Sequence, residues 1–149
     1  MTGHDRLATQ VYTAFTSADY TAIDRLFADD YVEHSEFPGT TQDKEGVKQF
    51  VRIFHEAFSE LQFTAEETLT IGSTVVVRFR LTGRNTGSLM GMPATGRTVD
   101  VRGIDMARVS ANGRITEHWG YFEETKLMQQ LGAVPEQRSV DVTEAKTRA

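Results

Sequence analysis

The chain has 149 residues, no cysteine and a formal net charge of −5 at pH 7. This length is typical of one domain with a sizeable core, and the absence of cysteine excludes disulfides, thiolate metal ligands and a cysteine nucleophile. The negative charge argues against nucleic acid as the main partner, because nucleic-acid binders usually carry a basic patch. No stretch resembles a signal peptide or reaches membrane-spanning length. We therefore expect a cytoplasmic protein with neither a nucleic-acid nor a membrane partner.

Helical patterns fill the first third of the chain. Apolar residues recur at spacings of three and four in segments 7–15 and 23–27, with a break near Ser17. The clearest helix runs from Lys44 to Phe58, where Asp43 can cap the free amides of the first turn. Between these helices, the sequence DDYVEHSEFPG predicts a short extended piece that ends in a Pro-Gly turn.

From Leu61 onward the apolar residues alternate with a period of two, which indicates strands with one wet face. The pattern predicts a hairpin of segments 61–71 and 75–82, and a further strand over 99–109. We expect the glycine-rich segment 87–97 to form a mobile flap over a pocket.

The end of the chain predicts a second hairpin and a short helix. Asn112-Gly113 is a strong turn signal before a last strand from Arg114 to Phe122, and a helix from Thr125 to Leu131 follows. Helices first and antiparallel strands afterwards indicate an α+β fold, with helices on one face of a curved sheet. We expect one domain over residues 1–135 and a flexible polar tail over 136–149.

Charged residues interrupt the last two strands. In the last strand Glu117, Trp119 and Glu123 share one face, while His118 belongs to the other, and neither face is cleanly apolar. Asp105 interrupts the preceding strand in the same way. A carboxylate forced into a dry interior costs several kcal/mol unless it is paired or lines a cavity. These residues therefore indicate a polar pocket beneath the sheet.

Structural roles are open alternatives for each of these residues. Glu117 is also explained as a salt-bridge partner of Arg102 or Arg114, and Glu123 as an acid at the start of the following helix. Asp105 can pair with Arg78 or Arg80. Trp119 can belong to the core.

The segment NGRITEHWGYFEETKLMQQLG closely resembles the closing segment of SnoaL-like polyketide cyclases, also called ester cyclases, within the nuclear transport factor 2-like superfamily. The segments YVEHSEFPG, EGVKQFVRIFHEAFSEL, VVVRFRLTGRNTG and GMPATGRTVDVRGIDMARV resemble the same family in the same order, so the resemblance covers about residues 5–132. Two positions depart from the family pattern. Glu123 stands where an aspartate is usual, and Asn85 replaces a histidine that we expect near the pocket mouth.

The resemblance implies a cone-shaped barrel, formed by a strongly curved and mostly antiparallel sheet that the N-terminal helices wrap around an internal pocket. It also implies a homo-oligomer, either a dimer or a tetramer. The implied reaction is an intramolecular aldol ring closure of a polyketide ester, or of a similar enolisable carbonyl substrate, without metal or organic cofactor. The implied partner is thus a small hydrophobic or aromatic carbonyl compound.

On this reading Glu123 is the general acid/base, since it holds the family's acid position, and Asp105 and His34 assist as proton-relay or hydrogen-bonding groups. Trp119 and Tyr12 would form walls that contact the substrate. His118 has the opposite parity, so we expect it on the other side of the sheet, where an interface role is more natural. We keep it among the candidate substrate contacts, together with Phe54 and Met92.

Other functions remain open in the same pocket. An isomerase, a hydrolase, a dehydratase, a partner in hydroxylation, or a non-catalytic protein that binds a small hydrophobic ligand are all compatible with the fold. A metal site is not expected, because the four histidines show neither HxH nor HExxH spacing.

Overall fold

A computed structural model describes residues 3–135, which form four helices and a five-stranded sheet. The predicted tail, residues 136–149, lies outside the described residues. In chain order the elements are α1 (Gly3–Ser17), α2 (Tyr20–Leu26), β1 (Phe27–Glu33), α3 (Lys44–Ala57), β2 (Phe58–Ile71), β3 (Thr74–Asn85), β4 (Thr98–Val109), β5 (Ile115–Phe122) and α4 (Glu124–Gln130). The sheet curls without closing, and the predicted α+β class is confirmed.

The strands lie in the order β1-β5-β4-β3-β2. Neighbouring pairs from β2 to β5 are antiparallel, whereas β1 runs parallel to β5. The extended piece predicted after the first helices is therefore an edge strand of the sheet. This pairing brings the C-terminal end of β1 beside the last strand, with Glu33 next to His118 in the register.

The helices form where their capping and apolar residues predict. The side chain of Asp43 accepts a hydrogen bond from the amide of Gly46 at 3.0 Å, so the predicted cap of α3 is confirmed. The apolar face of α3 is buried against the sheet and includes Val51 and Phe54. In the described part of the chain, no helix combines the length and apolar character needed to cross a bilayer.

The glycine-rich segment between β3 and β4 is fastened to the body of the protein by Asn85. The side-chain amide of this buried residue donates to the carbonyls of Ala57 and Gly87, and its oxygen accepts from the amide and hydroxyl of Thr95. Leu89 in the same segment is also buried. The prediction of a flap over the pocket is wrong, since no residue of segment 87–97 lines the cavity described below.

Candidate active site

A cavity of about 150 Å³ lies between the inner face of the sheet and helices α1 and α3. Most of its wall is aromatic or aliphatic, including Val11, Phe15, Phe27, Phe63, Val75, Val77 and Phe79. The end of the cavity near the protein surface is lined by Ser35, Glu36, Phe37, Thr40, Thr41, Phe122 and Glu124. Polar side chains are concentrated on the wall formed by β1, β4 and β5, which supply Glu33, Asp105 and His118.

His118 lies between two carboxylates. Its Nδ1 is 2.6 Å from Oε2 of Glu33, and its Nε2 is 2.7 Å from Oδ1 of Asp105. A carboxylate only accepts hydrogen bonds, so both ring nitrogens are best satisfied when both carry a proton. The geometry therefore favours the imidazolium form of His118, held by one carboxylate on each side.

The electrostatics agree with this geometry. Burial alone would lower the pKa of His118, but the charges and hydrogen bonds of Asp105 and Glu33 outweigh it and raise that pKa to about 10. Burial also acts to raise the pKa of Glu33, yet the hydrogen bond and charge of His118, with the Tyr31 hydroxyl and the Ser35 amide, hold it below its ordinary value. The cluster thus contains a cation that compensates one of two carboxylates.

Two tyrosines complete the hydrogen bonding of the carboxylates. The hydroxyl of Tyr12, on α1, donates to Oδ2 of Asp105, and that of Tyr31 donates to Oε2 of Glu33 at 2.5 Å. Burial, followed by the negative charge of Asp105, raises the pKa of Tyr12 well above its ordinary value. Burial and the charge of Glu33 raise the pKa of Tyr31. Both phenols therefore stay protonated and remain donors at neutral pH.

Gly120 gives the cluster room. It lies opposite Asp105 in the β4–β5 register, and a Cβ at this position would approach Cε1 of His118 to 2.5 Å and Oδ1 of Asp105 to 2.7 Å. Its amide donates to Oγ of Ser35 at 2.6 Å, while the amide of Ser35 donates to Oε1 of Glu33 at 2.9 Å. The loop after β1 is thereby tied to β5 at the level of the cluster.

Comparison with known proteins identifies the scaffold around this cluster. The sequence profile of SnoaL-like polyketide cyclases matches residues 6–131. The chain belongs to this family. No curated protein matches the sequence at a significant level.

Several solved structures share the fold along most of their length. TsrD from Streptomyces laurentii is 25% identical, with 89% of this chain and 96% of that chain covered and a TM-score of 0.80. AclR, a candidate hydroxylase from Streptomyces galilaeus, is also 25% identical, with 97% and 89% covered and a TM-score of 0.79. IdmH, a candidate polyketide cyclase from Streptomyces antibioticus, is 29% identical, with 89% and 99% covered and a TM-score of 0.76.

Within this SnoaL-like fold, three of the predicted site residues line the cavity together. Asp105 and Tyr12 do so as predicted, and their partner is His118. The alternative pairing of Asp105 with an arginine is wrong, because Arg78 pairs with Glu66 and Glu67 and Arg80 pairs with Asp100.

The sides of β5 are reversed relative to the prediction. His118 and Trp119 do have opposite parity, but His118 faces the cavity and Trp119 does not line it. Trp119 instead stacks on His34, with ring centroids 4.4 Å apart and an interplanar angle of 8°. Nε2 of His34 lies 2.9 Å from Oε2 of Glu117. Among the described ion pairs, this glutamate therefore pairs with His34, and not with Arg102 or Arg114 as the alternative had it. His34 and Trp119 are thus placed together outside the cavity.

Glu123 is the N-cap residue before α4 and does not line the cavity. Its side chain is 44% exposed, lies 3.4 Å from Nζ of Lys126, and accepts a hydrogen bond of 3.2 Å from the amide of Arg102. This position matches the alternative of an acid at the start of the helix, although its side chain makes no capping hydrogen bond. The location gives no support to the predicted acid/base role of Glu123.

The two remaining candidates also lie away from the cavity wall. Phe54 is fully buried in an aromatic cluster formed with Phe37, Phe50, Phe58, Phe63 and Phe122. Met92 bridges to Leu89 within the fastened segment and packs partly buried against the core. Phe54 supports the wall from behind, so a direct substrate contact is not available to it.

Glu33 and Tyr31 were missed by sequence reasoning. A signal was present, because at the spacing of a strand Tyr31 and Glu33 share one face, while Asp30, Val32 and His34 lie on the other. Their partner, however, is a residue 85 positions later in the chain. Within residues 3–135, no group of three or more His, Asp or Glu side chains has the arrangement of a metal site.

Proposed function

We propose that this SnoaL-like protein is an enzyme that moves a proton on an enolisable carbonyl compound, with Asp105 as the general acid/base. The observation that carries the proposal is the carboxylate of Asp105 at the wall of an apolar cavity, held by the hydroxyl of Tyr12 and by Nε2 of His118. A carboxylate in such surroundings is a competent base for a proton flanked by two carbonyls. Family membership supports the reaction class.

In the proposed reaction, Asp105 takes the proton from the carbon between the two carbonyls, and the electron pair of that C–H bond forms an enolate. In a ring closure, the enolate carbon attacks a second carbonyl of the same molecule. Asp105 then returns the proton to the oxygen of that carbonyl, which becomes a hydroxyl. The sum is an isomerisation, so the chemistry balances without a metal or an organic cofactor.

The residues around Asp105 have supporting roles in this proposal. The imidazolium of His118 stabilises the negative charge that appears on substrate oxygen, because charges interact more strongly beside an apolar wall than in water. Tyr12 orients the carboxylate, and its hydroxyl can turn toward the substrate when Asp105 is protonated. Glu33 and Tyr31 hold the far side of the imidazole and so fix its orientation.

The test is deuterium uptake at the central carbon of methyl 2-methylacetoacetate in D₂O, followed by NMR. We expect the wild-type protein to accelerate uptake and Asp105→Asn to lose at least about 100-fold of that acceleration, as is typical for loss of a general base. Asp100→Asn is a matched control, since Asp100 lies on the same strand and pairs with Arg80 outside the cavity. Equal uptake by Asp105→Asn and the wild type would refute the role of Asp105.

A second outcome distinguishes catalysis from binding alone. If the compound raises the melting temperature of the protein but its exchange rate is unchanged, the cavity is a binding site without acid/base activity. The similarity to AclR, a candidate hydroxylase, makes oxygenation of a bound compound the reaction to examine next in that event.

The homo-oligomer and the cytoplasmic location inferred from the sequence remain proposals. Exposed apolar side chains on the outer face of β4 and β5, Ile104 and Tyr121, support an association through that face. Sedimentation equilibrium of the wild type and of Tyr121→Glu tests it, and a monomeric wild type would contradict it.

A further inference from the structure

The size of the cavity limits what can reach the cluster. In another protein, an apolar cavity of about 150 Å³ is filled by a molecule of benzene, and the cavity here has the same volume. A skeleton of three or four fused rings needs at least twice that room. The surrounding wall is close-packed and includes Phe15, Phe63 and Phe79, which are fixed by contacts with other rings.

The charge of the lining limits the substrate independently. Two carboxylates and one imidazolium leave one negative charge uncompensated at the cluster, and Glu36 and Glu124 add carboxylates near the surface end. No lysine or arginine is present among the described residues that line the cavity. Both ring nitrogens of His118 already face carboxylates. A carboxylate or phosphate on the substrate would therefore lose its hydration without gaining a cation that is free to pair with it.

We infer that the substrate is an uncharged carbonyl compound with a single ring, or an open chain of similar bulk, and that fused three- and four-ring compounds and free acids are excluded. This inference rests on the proposed function for the carbonyl group and on the cavity for size and charge. The apolar end of the cavity, lined by Val75, Val109 and Ile115, takes the hydrocarbon part. The carbonyl then faces Asp105 and His118.

Calorimetric titration with neutral ketones of increasing size tests the limit on size. We expect acetophenone to bind, 1-tetralone to bind at least about tenfold more weakly, and anthrone not to bind. Anthrone binding as tightly as acetophenone would overturn the inference, and so would a failure of every single-ring ketone to bind.

Two valine variants show whether the size of the cavity causes the order of affinities among the ketones. Val75→Ala enlarges the cavity wall, and we expect it to improve the binding of 1-tetralone relative to acetophenone by at least about fivefold. Val101→Ala is the matched control, because Val101 is equally buried but does not line the cavity. An equal change in both variants, or no change in Val75→Ala with its fold intact by circular dichroism, would contradict the size limit.

A pair of similar shape tests the limit on charge. We expect methyl benzoate to bind at pH 7.5 and benzoate to bind at least about 30-fold more weakly. Tighter binding of benzoate would overturn this part of the inference. Failure of the proposed function gives a different result, in which single-ring neutral compounds bind in the expected order but methyl 2-methylacetoacetate takes up no deuterium.

Discussion

Nε2 of His118 lies 2.7 Å from Oδ1 of Asp105, and the two residues come from neighbouring strands, β5 and β4. On its other side the same imidazole contacts Glu33 of β1. One cation therefore joins three strands and also lies in the wall of the cavity. Stability and chemistry therefore depend on the same group.

Replacing His118 with glutamine removes the cation between two carboxylates. Leaving buried charges without their partner typically costs about 3–5 kcal/mol, so we expect a loss of that order in the free energy of unfolding, measured by urea denaturation. His34→Gln is the control, because His34 pairs with Glu117 outside the cavity. Losses of equal size in both variants would contradict the role given to His118.

The dependence of stability on pH follows from the pKa of His118. That pKa is raised from 6.5 to about 10 in the folded protein, so the stabilisation is fully present below pH 6.5 and is lost as the pH rises toward 10. The lowered pKa of Glu33 acts at the acid end, where its contribution is lost as the pH falls below its ordinary value of 4.5. We expect the free energy of unfolding to fall between pH 6.5 and 10 in the wild type, and to fall less in His118→Gln.

Glu33→Gln tests the contact between Nδ1 of His118 and the carboxylate of Glu33. Glutamine keeps an oxygen that can accept from Nδ1 but loses the negative charge, so the pKa of His118 should fall below its wild-type value of about 10. The chemical shift of the imidazole protons, followed by NMR against pH, measures this change. In Glu117→Gln, the control, the His118 titration should be unaffected. A His118 titration that is the same in Glu33→Gln and the wild type would exclude Glu33 as its ion-pair partner.

Gly120→Ala places a methyl group where the His118–Asp105 contact is made. The added carbon would lie 2.5 Å from Cε1 of His118, so the contact must open, at a cost of about 1–3 kcal/mol. We expect deuterium uptake to fall at least about tenfold with a lower melting temperature. Gly3→Ala has open space around the added carbon and should change neither measurement.

Glu123→Gln distinguishes the family-based assignment from the structural one. Because Glu123 lies at the start of α4, outside the cavity, we expect deuterium uptake within about twofold of the wild type and a change in stability within about 0.5 kcal/mol. Abolished uptake in a variant with an intact fold would return the acid/base role to Glu123.

Local patterns predicted the helices and hairpins because their causes are local. The spacing of apolar residues in α3, its cap at Asp43 and the Asn112-Gly113 turn all act within a few residues of one another. The parallel pairing of β1 with β5 is different, because it joins residues that are far apart in sequence. The local pattern predicts an extended piece but does not show which strand it pairs with, and this is why Glu33 was missed.

The orientation of β5 could not be predicted for a related reason. Its alternation separates His118 from Trp119 and Tyr121, but hydrophobicity favours burial of the two larger rings. In the structure Tyr121 is 72% exposed, and Trp119 is covered by His34 on one side while the guanidinium of Arg108 lies 5.8 Å from its ring centroid. Which face of a strand lies toward the interior depends on the side chains that neighbouring strands bring against it. Here those side chains come from β1 and β4.

The parallel contact of β1 with β5 has a consequence for synthesis of the protein. Glu33 leaves the ribosome long before His118, which follows it by 85 residues. Until the last strand arrives, the first strand has no partner along its edge, and the carboxylate of Glu33 stays hydrated. The ordered cluster is therefore among the latest parts of the molecule to assemble, since contacts between distant residues require closure of a long loop.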